Sequence, residues 1–243
     1  MVDLIYDTVN INELFADWQF HITNISGRNF ISPDVNTVNW NGTDGARFIG
    51  SRIPAREIKV DFTLVGYCPS VEQSLETKLM SAVYPYEEYE SVLEFSDRAD
   101  RYYKAILSDV SVTENWTSST GTLTFLCANP FSYGLPVDKA YATTLDLSED
   151  TNFNVEPVWE LTLLAAAPTS FDFVCNNRTL RIYQTMSPGT TVRIDTQRKE
   201  VYVDNTLTVL SLYGEFSLLF KGENTLSTNV AVSGTVEYLQ RWL

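Results

Sequence analysis

Ile58, Val60, Phe62 and Leu64 alternate strictly with Lys59, Asp61, Thr63 and Val65, the cleanest period-two run in the chain. Successive strand side chains point to opposite faces, so this run commits the segment to a strand with one face on a core. The same period recurs at Trp18, Phe20 and Ile22, at Leu123, Phe125 and Cys127, and at Trp159, Leu161 and Leu163. It continues at Phe171, Phe173 and Cys175, at Leu180 and Ile182, at Val192 and Ile194, at Val201 and Val203, at Phe216, Leu218 and Phe220, and at Val230 and Val232. Turn residues separate these runs, among them Asn176-Asn177, Ser187-Pro188-Gly189 and Gln197-Arg198-Lys199. Many short strands at such spacing predict a sandwich or jelly roll for the second half.

One helix interrupts the strands. Val71, Leu75, Leu79 and Val83 recur at helical spacing until Pro85, and Ser70 with Gln73 has capping-box spacing just past Pro69. A helix over about 70–83 is expected to lie with that face on the sheet and with Glu72 and Glu76 toward solvent. From Leu93 to Pro136 the chain reads as two strands and a stop. Proline cannot donate to a ladder, so Asn129-Pro130-Phe131 should carry the chain out of the sheet. The polar, acidic stretch Val137 to Asn154 reads as a linker with an opening strand. The fold class expected is mainly β with one helix. Residues 1–136 form a β-sheet domain carrying the packed helix, and residues 137–243 form a β-sandwich.

Charge and cysteine usage narrow the function. Seventeen basic against thirty-one acidic residues give a net charge of −14. The Lys/Arg cluster that a phosphate-binding groove needs is missing, so specific nucleic-acid binding is not expected. No apolar run reaches transmembrane length, and Met1 to Asp7 lacks the basic and apolar regions of a secretory signal, so no membrane partner is expected. Cys68, Cys127 and Cys175 are odd in number and far apart, which fits folding in a reducing cytoplasm.

Catalytic constellations are weak. His21 is the single histidine and sits in a strand pattern without a Gly-x-Ser-x-Gly elbow, so a surface or interface role is the better reading. The three cysteines and His21 match the count of a zinc set but lack Cys-x-x-Cys spacing. Glu87-Glu88-Tyr89-Glu90 and Glu149-Asp150 fall in expected loops, where charge runs are solvated faces rather than glycosidase pairs. No phosphate loop, dinucleotide fingerprint or calcium loop is present. The chain therefore reads as non-enzymatic, with no catalytic residue, no metal ligand and no cofactor. Trp40, Trp116, Tyr141 and Trp242 are scattered, which favours interface or core packing over sugar stacking.

Several pieces together resemble a known family. They are the Arg56, Ile58, Val60, Phe62 run followed by the helix, the Phe95-Ser96-Asp97 turn, the Arg101-Tyr102-Tyr103-x-Ala105 strand start, and the run from Thr122 to Tyr133 with Phe125, Cys127, Pro130 and Phe131. In the second half the match is looser, through Gly214-Glu215-Phe216 and Lys221-Gly222-Glu223-Asn224. In order and spacing the chain resembles the distal tail proteins of long-tailed, non-contractile phages and their relatives in defective prophages. The resemblance implies an N-terminal domain forming a homohexameric ring that continues the tail tube, and a C-terminal galectin-like sandwich that projects outward. Its implied role is a structural hub in the virion, at the distal end of the tail, made in the bacterial host cytoplasm. The implied partners are its own copies, the tail tube protein and tail-tip proteins, with a receptor-binding protein on the C-terminal domain. Galectins hold sugar with a constellation that includes histidine, and the second half here has none, so that site does not carry over. A non-enzymatic carbohydrate-binding module stands as the alternative function.

Arg28 to Arg52 lacks clear periodicity between two good strands, and segments of that length in compact domains are often functional. A free loop gains nothing from apolar residues such as Phe30, Val38, Trp40, Phe48 and Ile49, whereas laying them on an adjacent subunit buries surface. These five are the expected oligomer interface, on a projecting arm over about 28–52. The competing reading, prompted by the Asn41-Gly42 and Asp44-Gly45 steps, folds the segment back as an ordinary hairpin on its own sheet.

Overall fold

The computed structural model describes residues 2–16, 19–42, 44–66, 69–84, 89–115, 117–208 and 212–243. Trp18, Cys68, Pro85, Glu87, Glu88, Trp116 and the side chain of Glu72, all used in the sequence reading, lie outside the described residues. The chain divides into two compact units, Met1–Ser132 with Leu243 and Tyr133–Trp242.

The first unit contains β1 (Leu4–Tyr6), β2 (Val9–Asn10), β3 (Phe20–Ser26), β4 (Asp34–Val38), β5 (Arg47–Arg52), β6 (Arg56–Val65), α1 (Pro69–Val83), β7 (Ser91–Phe95), β8 (Tyr102–Glu114) and β9 (Ser118–Cys127). Its antiparallel sheet runs β2-β1-β7-β8-β9-β6-β3, with β8 pairing to β7 through its first residues and to β9 through the rest. The alternation of β6 is realised in full: Ile58, Val60, Phe62 and Leu64 are buried, and Lys59 and Glu57 are exposed. Leu123, Phe125 and Cys127 of β9 bury on the same side, joined by Tyr6, Phe20, Leu93 and Phe95. The helix adds Leu75, Leu79 and Val83 to this core. Amphipathic spacing thus decides its position, as the sequence predicts.

Two details of the helix differ from expectation. Pro69 already belongs to it, where a missing N–H costs nothing, so Ser70 falls inside the first turn rather than at the cap. Glu76 does not face open solvent but is half-buried and accepts a hydrogen bond from the buried Ser119 of β9. A carboxylate this close to the sheet gives the buried hydroxyl a hydrogen-bond acceptor.

The second unit is a sandwich. Its strands are β10 (Ser132–Ala140), β11 (Thr144–Asp146), β12 (Val158–Leu163), β13 (Phe171–Cys175), β14 (Arg178–Ile182), β15 (Thr191–Asp195), β16 (Glu200–Val203), β17 (Thr206–Leu207), β18 (Leu212–Gly214), β19 (Glu223–Thr228) and β20 (Val232–Trp242). One sheet runs β17-β16-β15-β12-β20-β10 and the other β11-β19-β13-β14-β18. Inward residues of both sheets, among them Trp159, Leu161, Phe171, Phe173, Val192 and Val236, form a single core. Trp159 meets Phe173 across the two sheets at 5.0 Å between ring centroids. The stretch Val137 to Asn154 is not a linker: it holds part of β10 and all of β11, and Leu145 and Leu147 are buried. Its polarity has a local cause, since Asp150 accepts hydrogen bonds from Lys139 and from the Tyr238 hydroxyl. Burial works against the Asp150 carboxylate, but these two partners outweigh it and hold its pKa below the ordinary range.

Asn176 and Asn177 both take positive φ, as a two-residue hairpin between β13 and β14 requires. The fully buried Asn224 donates to the carbonyls of Leu145, Phe220 and Gly222. It also accepts from the Phe220 N–H and the Asn176 side-chain amide. One side chain therefore joins β11, β19 and the β13–β14 turn. Asn224→Ala strands several of these groups, and each buried unpaired group costs roughly 1–3 kcal/mol. Chemical denaturation of the variant should show a loss of about 2–4 kcal/mol; a change below about 0.5 kcal/mol, typical of an uninvolved surface position, would refute this role.

Candidate functional site

The chain leaves the main sheet after β3 and returns to it at β6. Between them β4 and β5 pair only with each other, as a separate two-stranded ribbon. Its register runs Asp34 to Arg52, Val35 to Ser51 and Val38 to Arg47, with a bulge that leaves Ile49 opposite no residue. The segment is thus a hairpin, as the competing sequence reading holds, but not one that lies on its own domain's sheet. Its weak periodicity has a physical cause: alternation is imprinted by burying one face, and every residue of β4 is exposed.

The apolar residues singled out from sequence lie on this arm and are open to solvent. Phe30 is 100% exposed, Trp40 59%, Phe48 61% and Ile49 64%, and Val35 and Val38 are exposed as well. Isolated two-stranded ribbons are marginal in water without a hydrophobic face to pack. The Asp34–Arg52 ion pair, 3.3 Å and exposed, adds little.

The root is built differently. Arg56, the first residue of β6, is only 2% exposed. Its Nε donates to the Pro130 carbonyl at 2.7 Å, and its Nη1 donates to the Gly27 and Asn29 carbonyls at 3.1 and 3.0 Å. The guanidinium lies 5.5 Å from the centre of the Tyr103 ring. Burial pushes its pKa down, yet a guanidinium this basic stays charged. Gly27 is required here: its φ is +83°, and a Cβ would stand 1.9 Å from the Glu57 carbonyl oxygen.

A second set of bonds holds the other side of the root. Arg28 Nη1 donates to Asp97 at 2.7 Å and its guanidinium lies 4.7 Å from the centre of the Phe95 ring. Arg98 donates to the Asn29 side chain at 2.9 Å. The Arg28 hydrogen bond is the main reason the Asp97 carboxyl titrates below the ordinary aspartate range, against the opposing effect of burial. The root gathers Arg56, Asp97 and Tyr103, three residues from separate pieces of the motif set noted in the sequence. Arg28, Asn29 and Arg98 were not singled out as a site, and only their place beside that motif set signals them.

The remaining candidates are not gathered. His21 sits half-buried on β3 opposite Thr63. Cys127 and Cys175 are free thiols buried in the cores of different units, and burial raises their pKa to about 12 and about 11. Thiols held protonated in this way are poor nucleophiles and poor metal ligands. Among the described residues, no three His, Cys, Asp or Glu side chains are grouped to hold a metal ion. Glu149 and Asp150 lie beside β11, with Asp150 engaged by Lys139 and Tyr238. Tyr141 packs against the sandwich core, and Trp242 ends β20 half-buried.

Residues 13–127 match the phage tail protein RIFT-related domain, and residues 150–242 match the C-terminal domain of the siphovirus-type tail component. No curated protein sequence matches the chain. The crystal structure of phage SPP1 Dit (gp 19.1), described as a paradigm of hub adsorption apparatus in phages infecting Gram-positive hosts, has a similar fold. Its TM-score is 0.81 at 16% identity, over 100% of both chains. Two structures of the phage p2 baseplate in its activated conformation, with Ca and with Sr, are more distant. Their TM-scores are 0.45 and 0.44, their identities 9% and 10%, and the matches cover 99% and 98% of this chain and 98% of each p2 chain. At that distance they carry no argument about this chain. Two tail-protein domains follow one another in order along most of its length, and the chain belongs to the distal tail protein family of siphophages.

Proposed function

We propose that this chain is a non-enzymatic ring-forming hub, assembling as a homohexamer that connects the tail tube to the baseplate or host-adhesion device. The observation that carries the reading is the β4–β5 arm, which exposes Val35, Phe48 and Ile49, forms a sheet of its own and is fixed at its root. Closing a ring needs a contact in which one patch meets a different patch on the next copy, and an arm supplies it. Covering Phe30, Trp40 and Phe48 alone removes on the order of 400 Å² from water, worth roughly 10 kcal/mol gross at 25 cal/mol per Å². Association costs about 4–15 kcal/mol, so the arm contact is consequential without being sufficient. The first unit forms the ring in this reading, contacting the tail tube protein and tail-tip proteins. The second unit is a docking platform, with a receptor-binding protein as its partner. SPP1 Dit, described as a hub, lends this assignment its precedent.

Light scattering on the intact chain, and on one with residues 30–52 replaced by a short Gly/Ser linker that spares the root, tests the reading. Intact protein should reach ring mass and the replaced chain should remain a monomer. Equal masses for the two would remove the arm from the account.

The root gives a pH prediction. Asp97 has a depressed folded pKa, so its contribution is present above the ordinary aspartate value of about 4 and is lost as pH falls through the folded pKa. Amide exchange at residues 27–30 should speed up as pH is lowered through that range, beyond the intrinsic pH effect on exchange. In Asp97→Asn the root should be loose already at pH 6 and the extra acid-induced loosening should disappear. An unchanged acid response in the variant would show that Asp97 does not hold the root.

A further inference from the structure

A cleft of about 450 Å³ opens on the first unit beside the C-terminal end of α1, the β1–β2 turn and the start of β7. Val9, Tyr84, Tyr89 and Val92 line it, and all four are exposed large hydrophobics. Asp7 and Glu90 also line it, and neither makes an ion pair among the described residues. The cleft therefore mixes exposed apolar and aromatic side chains with polar ones such as Ser81 and Ser91, and its charged positions are both acidic.

The arm carries apolar side chains and, among its four charged residues Asp34, Asp44, Arg47 and Arg52, one arginine able to meet those carboxylates. Val35, Val38, Trp40, Phe48 and Ile49 are exposed on it, and Arg47 precedes Phe48 along β5. Arg52 is held by Asp34, whereas Arg47 makes no ion pair among the described residues. Within one copy the arm does not fill the cleft, since both sets of side chains are exposed.

We infer that this cleft receives the β4–β5 arm of a neighbouring copy, with Phe48 and Ile49 entering among Tyr84, Tyr89 and Val92 while Arg47 approaches Glu90 and Asp7. The inference rests on the ring reading and specifies its contact. Arm and cleft are different patches on the same chain, as a head-to-tail ring requires. Their exposed apolar side chains amount to on the order of 800 Å², short of the ~1,200–2,000 Å² of a stable pairwise interface. Each copy in a closed ring donates one arm and receives another, so two such contacts hold every copy.

The test uses the full chain. Arg47→Glu spoils the arm and leaves the cleft intact, and Glu90→Lys does the reverse. Each variant alone should raise the concentration for half-assembly about tenfold, equivalent to ~1.4 kcal/mol. A one-to-one mixture should restore assembly, because each altered arm then meets an oppositely altered cleft and each native arm meets a native cleft. In parallel, p-benzoylphenylalanine at position 48 should photo-crosslink between chains to peptides carrying Val9 or residues 84–92. Failure of the mixture to recover, together with adducts elsewhere, overturns the cleft assignment. If the chain lacking the arm still loses its ring mass in that case, the ring reading stands without it. A chain that assembles equally well without its arm, or that stays monomeric at the highest attainable concentration, overturns both.

Discussion

A buried guanidinium with backbone carbonyls for partners sets the architecture of the first unit. Removing an arginine from water costs several kcal/mol, so Arg56 is tolerable only with its donors engaged. It finds the Gly27 and Asn29 carbonyls on the chain leading into the arm and the Pro130 carbonyl just beyond β9. Hydrogen bonds to a charged group contribute roughly 1.5–3 kcal/mol each, enough between them to offset burial. Two distant stretches of the sequence, at residues 27–29 and at Pro130, are thereby fixed to one side chain. Gly27 allows the approach because no Cβ fits against Glu57. The arm's direction at its base is set by this geometry, while its length carries no comparable restraint.

The second unit solves a similar problem with a neutral group. Asn224 is buried with its donors and acceptor occupied, and it ties β11, β19 and the β13–β14 turn together at the polar backbone groups beside the hydrophobic core. Gly214 is required where it stands, since its φ is +116° and a side chain there would strike the Thr179 carbonyl. Both lie in the looser pieces of the family motif, and the structure gives each a mechanical reason. They are fold determinants rather than ligand groups, which agrees with a sandwich whose sequence lacks the histidine of a galectin site.

Sequence periodicity was legible wherever one face is buried. Ile58 to Leu64, Leu123 to Cys127 and Trp159 to Leu163 report their strands directly because water selects the alternation. It failed at Val35 to Val38 and Phe48 to Ser51, where both faces of the ribbon meet solvent. It misled at Val137 to Asn154, where Lys139 and Asp150 resemble a solvated linker until Tyr238 is placed beside them. Of the candidate site, the apolar arm residues could be named from their conflict with the surrounding pattern. The root could not be assembled from spacing, because Arg56, Asp97 and Tyr103 meet only through long-range sheet pairing.

A fixed root carrying an exposed arm that a neighbour covers is the central claim, and hydrogen exchange read residue by residue tests it most directly. In the dilute monomer, amides at Asp34–Val38 and Arg47–Arg52 should exchange quickly, while those of β6 next to Arg56 should be protected. On assembly, protection should rise across the arm and change little in β6. An arm already protected in the monomer, or one still exchanging freely in the assembled ring, would contradict the account.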